Sequence, residues 1–158
     1  MINDIFIAKV LAVTPHHLML NVMKGYSEQI TDDSNYWNFL GTAWKAGVSF
    51  EKQDQWIKLF KSNRRNRQKI MKTSERREFS RLPKIVTAYR CCDDEIENDQ
   101  SICWSLDKKF VIEYAEKKGR ALILERKFDK KDIFAFFNRR RESEILVWRD
   151  IHRQIKPI

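Results

Sequence analysis

The apolar positions of this chain change their period once, near residue 82. Before that point Leu18, Val22, Tyr26 and Ile30 recur every four residues, which predicts a helix with one buried stripe. Thr14-Pro15 reads as an N-cap followed by proline at the first helical position. A second helix is predicted after Ser34, with Trp37, Leu40 and Trp44 inward and Gly47 as a left-handed terminator. Phe50, Trp56, Leu59 and Phe60 open a third, which continues into a basic segment as far as Lys72, and Ser74 caps a short fourth. The Trp residues belong to the core in this reading.

At Leu82-Pro83 the helical repeat stops. Residues 84–90 (KIVTAYR) are short and rich in β-branched and aromatic side chains, as a strand requires. Ser101 to Ser105 predicts a second strand, and Asp107 caps a helix that holds Phe110, Val111, Tyr114 and Ala115 and closes at Gly119. Residues 121–128 (ALILERKF) are again strand-like, 129–138 form a turn or short helical piece, and a last strand begins near Glu142. Helices first, then a mixed or antiparallel sheet with one helix, is an α+β plan. The expectation is a single domain over 1–158, with a helical part at 1–81 packed on a β-rich part at 82–158.

Composition agrees with a packed core: 42% of the 158 residues are hydrophobic and 12% aromatic, unlike a disordered chain. No apolar run reaches the roughly 18 to 20 residues of a membrane span. The start, MINDIFIAKVLAV, has an acid at Asp4 and no cationic lead, so a signal peptide is not expected and the chain is read as cytoplasmic. Cys91, Cys92 and Cys103 are an odd number without paired zinc spacing, so reduced thiols are expected. His16 and His17 project to different sides of a helix, and no metal site is expected.

The net charge of +9 is concentrated. Residues 61–81 hold nine Lys or Arg against two Glu. Arg64, Arg65 and Arg67 in that run suit nucleic acid phosphates or an acidic protein face. A solvated helix face fits the same residues.

Several chemistries fall away. The four glycines form no phosphate loop, there is no serine elbow, and His16, His17 and His152 lie beside no nucleophile in sequence. The acids remain. Three cations, Arg139, Arg140 and Arg141, run into Glu142-Ser143-Glu144 and then an apolar stretch. In an extended run, Glu142 and Glu144 share a face about 7 Å apart at ~3.3 Å per residue. Carboxylates that close raise one another's proton affinity, which the three arginines offset. A second such pair, Glu95-Ile96-Glu97, shows that context must decide.

The context is ordered: Tyr89-Arg90 at the end of one strand, Ile102 to Asp107 (ICWSLD) leading to a helix with Tyr114-Ala115, then Asp132 to Phe137 (DIFAFF), then Arg141 to Leu146 (RESEIL). That succession resembles the ADP-ribosyltransferase fold, and more closely a group of uncharacterised phage and prophage proteins with an aromatic-rich helical N-terminal half. In the arginine-modifying branch the pattern is an arginine on the first strand, Ser-x-Ser/Thr on the second and Glu-x-Glu leading into a later one. Arg90 matches the first element, and Glu142 and Glu144 match the third. In the second, Cys103 stands where a hydroxyl is expected and Ser105 fits the other place. Cys91 and Ser101 replace residues that are usually glycine. The resemblance covers about 82–148.

The resemblance implies a sheet core of ADP-ribosyltransferase type and NAD as substrate. Glu144 would stabilise the oxocarbenium-like ribose as the nicotinamide bond breaks. Arg90 would grip the pyrophosphate, and Glu142 would draw in and deprotonate the acceptor. Cys103 would donate a weak hydrogen bond to Glu144. Tyr89, Trp104 and Phe137 would flank the nicotinamide or adenine ring, unless they are core. The implied activity is transfer of ADP-ribose to a host protein, most plausibly on arginine, in the bacterial cytoplasm. The implied setting is phage or mobile-element conflict, in which a toxin, an inhibitor of host defence and a modifier of host polymerase read alike. A binding protein that has kept the fold without turnover, and that uses the basic residues 61–81 on an acidic partner or nucleic acid, fits the same residues.

Overall fold

Asn3 opens the first helix by accepting the Phe6 N–H at 2.9 Å, and α1 then runs Asp4–Val13. A computed structural model describes residues 2–47, 52–93, 101–120 and 122–148. They gather into two compact units, 1–72 and 73–158. Among the described residues no helix is long and apolar enough to cross a membrane.

In the first unit, α1 was not anticipated by the sequence pattern, because it is apolar nearly all round. Ile7 and Leu11 are buried while Ile5, Phe6 and Val13 are exposed. Thr14 ends α1 instead of starting the next helix: its hydroxyl donates to the Val10 carbonyl at 2.6 Å. A 3-10 turn, His16–Leu18, separates it from α2, Met19–Tyr26. That turn rotates the register, so α2 buries Met19, Leu20 and Met23 in place of the expected stripe; of Leu18, Val22, Tyr26 and Ile30 only Ile30 is buried.

Helix α3, Asp33–Ala46, buries Trp37, Leu40 and Trp44 as expected. Gly47 follows it but is extended, with φ −80° and ψ 175°. Its small size has a steric cause: a Cβ there would lie 2.8 Å from the Ala43 carbonyl oxygen and 3.2 Å from Trp56. Helix α4, Gln53–Phe60, supplies Trp56 and Phe60, which meet Trp44 at centroid distances of 5.3 and 5.5 Å. Phe50 lies outside the described residues. The third helix stops at Phe60 and does not reach Lys72; the basic segment folds into a loop and a 3-10 turn, Arg67–Ile70. Asn66, in the left-handed region at φ 65°, breaks the helical run, and its side chain donates to the Ser34 hydroxyl.

The second unit begins with α5, Thr73–Ser80, followed by β1, Ile85–Cys92. Ser74 lies inside α5 and is not its cap. Next come β2, Cys103–Ser105, then α6, Lys108–Lys118, then β3, Leu122–Asp129. Asp107 caps α6 by accepting the Phe110 N–H, and Gly119 closes it at φ 67°, as expected from the sequence. After a 3-10 turn at Lys130–Asp132 come β4, Ala135–Phe137, and β5, Glu144–Leu146. Strand β4 occupies part of the stretch expected to be a turn or helical piece; its three residues are all buried, so no alternation marks them.

The sheet has five strands in the order β3-β1-β2-β5-β4, and every neighbouring pair is antiparallel. The architecture is α+β, with six helices among the described residues. Val86, Ala88, Trp104, Phe136 and Ile145 are buried on one face of the sheet.

Candidate functional site

The short central strand β2 gathers the functional candidates. Tyr89 stands opposite Ser105, and Ser105 opposite Glu144. Directly opposed residues share a face, so Tyr89, Ser105, Glu144 and, two positions along, Cys103 lie together. Cys103 Sγ donates to Glu144 Oε2 at 2.8 Å, the thiol-to-carboxylate contact expected from the sequence.

Arg90 follows Tyr89 and so leaves β1 on the other face. Its guanidinium nevertheless reaches the same residue, Nη1 donating to the Cys103 carbonyl at 2.9 Å. The described pairing of β1 with β2 is the single position Tyr89–Ser105. Beyond it Arg90 holds the backbone of β2 with its side chain. Residue 103 therefore meets the cation through its carbonyl and the acid through its thiol.

The two glutamates differ. Strand β5 starts at Glu144, and both Ser143 (φ 45°) and Arg141 (φ 57°) sit in the left-handed region. The extended alternation assumed for 142–144 does not hold, because the turn passes through Ser143. Glu144 is buried, 7% exposed. Glu142 is half-buried, and its backbone carbonyl accepts the Ser105 hydroxyl at 2.6 Å. Ser105 Oγ also accepts the Asp107 N–H at 3.0 Å, so this hydroxyl pins the β4–β5 turn to the start of α6.

Arg139, the first of the three arginines, pairs with Glu75 of α5: Nη2 donates to Oε1 at 2.9 Å and Nε to Oε2 at 3.2 Å. Glu75 Oε2 also accepts the backbone N–H groups of Asn138 and Arg139. Asn138 Oδ1 in turn accepts the Ser143 N–H at 3.1 Å. The turn that delivers Glu142 and Glu144 is thus organised by a carboxylate 64 residues away from Arg139 in sequence. Nothing in the sequence marks Glu75, which reads as one of two acids within a basic run.

Among the aromatic candidates, Trp104 is 2% exposed, with the Phe128 ring edge-on at 5.2 Å and the Arg126 guanidinium 5.3 Å from its centroid. Phe137 is fully buried, with Arg139 over its ring. Both belong to the core. Tyr89 is half-buried and carries the Lys108 ammonium 5.8 Å from its ring. Tyr114 is noted in the sequence only as a helix residue; its hydroxyl pKa is raised, first by burial and then by the neighbourhood of Cys91, Cys103 and Glu142, with Arg120 pulling the other way. The alternative partner for Arg90, the acidic loop at 93–95, is met by another residue at Asp93, which pairs with Arg120 at 3.4 Å. Asp94 and Glu95 lie outside the described residues, as does the Glu95-Ile96-Glu97 pair.

The basic candidates divide too. Arg64 donates to the Ser27 and Ile30 carbonyls at 2.8 and 2.7 Å, pairs with Asp33 at 3.3 Å and lies over the Tyr36 ring. It is a strut of the first unit, closing the end of α2. Arg65 and Arg67 are exposed.

No family model, no curated protein and no solved structure matches this chain.

Proposed function

We propose that the second unit binds NAD beside Arg90 and Glu144 and transfers ADP-ribose to a protein side chain, arginine being the favoured acceptor. The supporting observation is the double engagement of Cys103, by the Arg90 guanidinium at its carbonyl and by Glu144 at its thiol. It brings a forked cation and an enclosed carboxylate to one residue. Such a fork suits a pyrophosphate, and an enclosed carboxylate stabilises positive charge on ribose as nicotinamide departs. Glu142, at the mouth of the turn, accepts the proton of the incoming acceptor. The setting suggested by the sequence resemblance is a phage-encoded effector, or an inhibitor of defence, acting on a host protein in the bacterial cytoplasm.

The test is transfer of label from NAD to proteins of a bacterial lysate. Glu144→Gln abolishes it in this reading, and Arg90→Lys weakens it by raising KM. Labelling that survives Glu144→Gln overturns the enzyme reading.

A second reading has its own support. The thiol in the hydroxyl position and the near-closure of Glu144 also suit a binding protein without turnover, with Arg65 and Arg67 toward an acidic protein or nucleic acid. Partner capture that Glu144→Gln leaves unchanged, and that added salt weakens, favours it.

A further inference from the structure

We propose that strand β3 is a dimerisation edge: two copies of this chain pair β3 to β3, antiparallel about a two-fold axis at Arg126, and so join their sheets. The proposal is independent of any activity toward NAD. Among the described residues β3 ends the sheet, bonded to β1 on one side only. Edges open to other chains are usually blunted by shortness, proline, bulges or charge. β3 is eight residues long and has no proline. Its pairing with β1 runs from Ile85–Asp129 to Cys92–Leu122 without a slip, so it holds no bulge. Leu124 and Phe128 are half-buried, and the rest of the strand is exposed.

The hydrogen bonds fix which groups face outward. Lys130, just past β3, donates its N–H to the Lys84 carbonyl at 2.8 Å. Along an antiparallel ladder such pairs alternate, so the even positions of β3 turn their backbone groups toward β1. The N–H and C=O of Ile123, Glu125, Lys127 and Asp129 therefore point away from the sheet.

A two-fold copy meets those groups when odd positions oppose odd ones. Two such registers overlap nearly the whole strand. Centred on Glu125, the copy would set Glu125 against Glu125. Centred on Arg126, it sets Glu125 against Lys127 of the second copy and Lys127 against Glu125, two pairs of opposite charge on one face. On the other face Leu124 meets Phe128 twice. About eight main-chain hydrogen bonds form, two at each pair of outward positions. Ile123 against Asp129 is the unmatched contact. Arg126 opposes its own copy, but its guanidinium lies 5.3 Å from the Trp104 ring. It reaches there past Ala88, its small neighbour on β1, and is thus drawn inward from the axis. The opposite edge, β4, is three buried residues, so the assembly closes at two copies.

The test follows the mass of the full chain by sedimentation over a concentration series. It is run at physiological salt, where the net charge of +9 on each copy is screened beyond about 8 Å. The expected result is a reversible shift from one chain mass to two. Glu125→Lys and Lys127→Glu each set like charges together twice, and each weakens association by about tenfold or more. Combining the two substitutions restores it, because both pairs are again of opposite sign. Amide exchange gives a second readout. The N–H groups of Ile123, Glu125, Lys127 and Asp129 slow as concentration rises. Those of Leu124, Arg126 and Phe128, already bonded to β1, are slow at every concentration and in every variant, which shows that the variants fold. A chain that stays monomeric overturns the proposal and leaves the edge to a strand of another protein. A dimer that either single variant leaves intact, or that the combined variant fails to restore, overturns it as well.

Discussion

Glu75 and Arg139 form a buried ion pair, Oε1 to Nη2 at 2.9 Å, with side-chain exposures of 2% and 14%. Removing one partner strands the other charge in a place water does not reach. Glu75→Ala is expected to cost about 3–5 kcal/mol of stability. The Arg120–Asp93 pair is the internal control, since the Asp93 side chain is 65% exposed. Asp93→Ala is expected to cost less than about 1 kcal/mol. Denaturant midpoints of the two variants, measured side by side, check the difference.

Arg64 is expected to behave as a structural residue although it sits in the most basic part of the sequence. Its fork holds two carbonyls at the end of α2 through Nη2 and the Asp33 carboxylate through Nη1, a geometry that Lys does not reproduce. Arg64→Lys should destabilise the chain by roughly 1.5–3 kcal/mol, as lost hydrogen bonds to a charged group do. Arg65→Ala should stay within about 0.5 kcal/mol of the parent. Thermal or chemical unfolding separates them, and equal effects would remove Arg64 from its structural role.

Asp4 gives the first unit an acid-sensitive joint. Slight burial works to raise its pKa, but hydrogen bonds from Asn35, Thr31 and Asp32 outweigh that and hold it below the ordinary 3.8. Asp4 Oδ1 accepts the Thr31 N–H at 2.8 Å, and Oδ2 accepts Asn35 Nδ2 at 2.9 Å. A carboxyl depressed in the folded state contributes stability that is present above its unfolded pKa and lost as pH falls through its folded one. Unfolding midpoints should therefore drop below about pH 4, and Asp4→Asn should flatten that part of the profile while lowering the plateau above it.

The β-rich half was legible in the sequence wherever a local rule governs. Asp107 and Gly119 bracket α6 because cap chemistry lies in adjacent residues. β1 shows its β-branched and aromatic residues, Ile85, Val86, Thr87 and Tyr89, in one short run. The strand β4 was not legible, because three fully buried residues have no alternation to read. The stripe of α2 failed for a similar reason: one 3-10 turn at His16–Leu18 shifts the buried face by a residue, and composition does not record it.

At the candidate site the Cys103–Glu144 contact was expected from the resemblance, and the pairing of β2 with β5 places the two diagonally on one face. The relation of Glu142 to Glu144 was not legible, because it depends on the positive φ of Ser143, a residue that gives no warning of it. Glu75 was invisible for a third reason. Its partners stand in a distant turn, and long-range ion pairs leave no periodic trace.

The central claim is that Glu144, held by the thiol of the residue whose carbonyl Arg90 grips from the other face of the sheet, breaks the nicotinamide bond of NAD. Nicotinamide release from NAD by the purified chain, followed over time beside Glu144→Gln, tests it most directly. The account expects release from the parent chain and at least a hundredfold loss, on the order seen when one charge-stabilising group is removed, in a variant that still folds. Equal release from both proteins, or none from either with an acidic acceptor-free control and an arginine-rich acceptor alike, would contradict it.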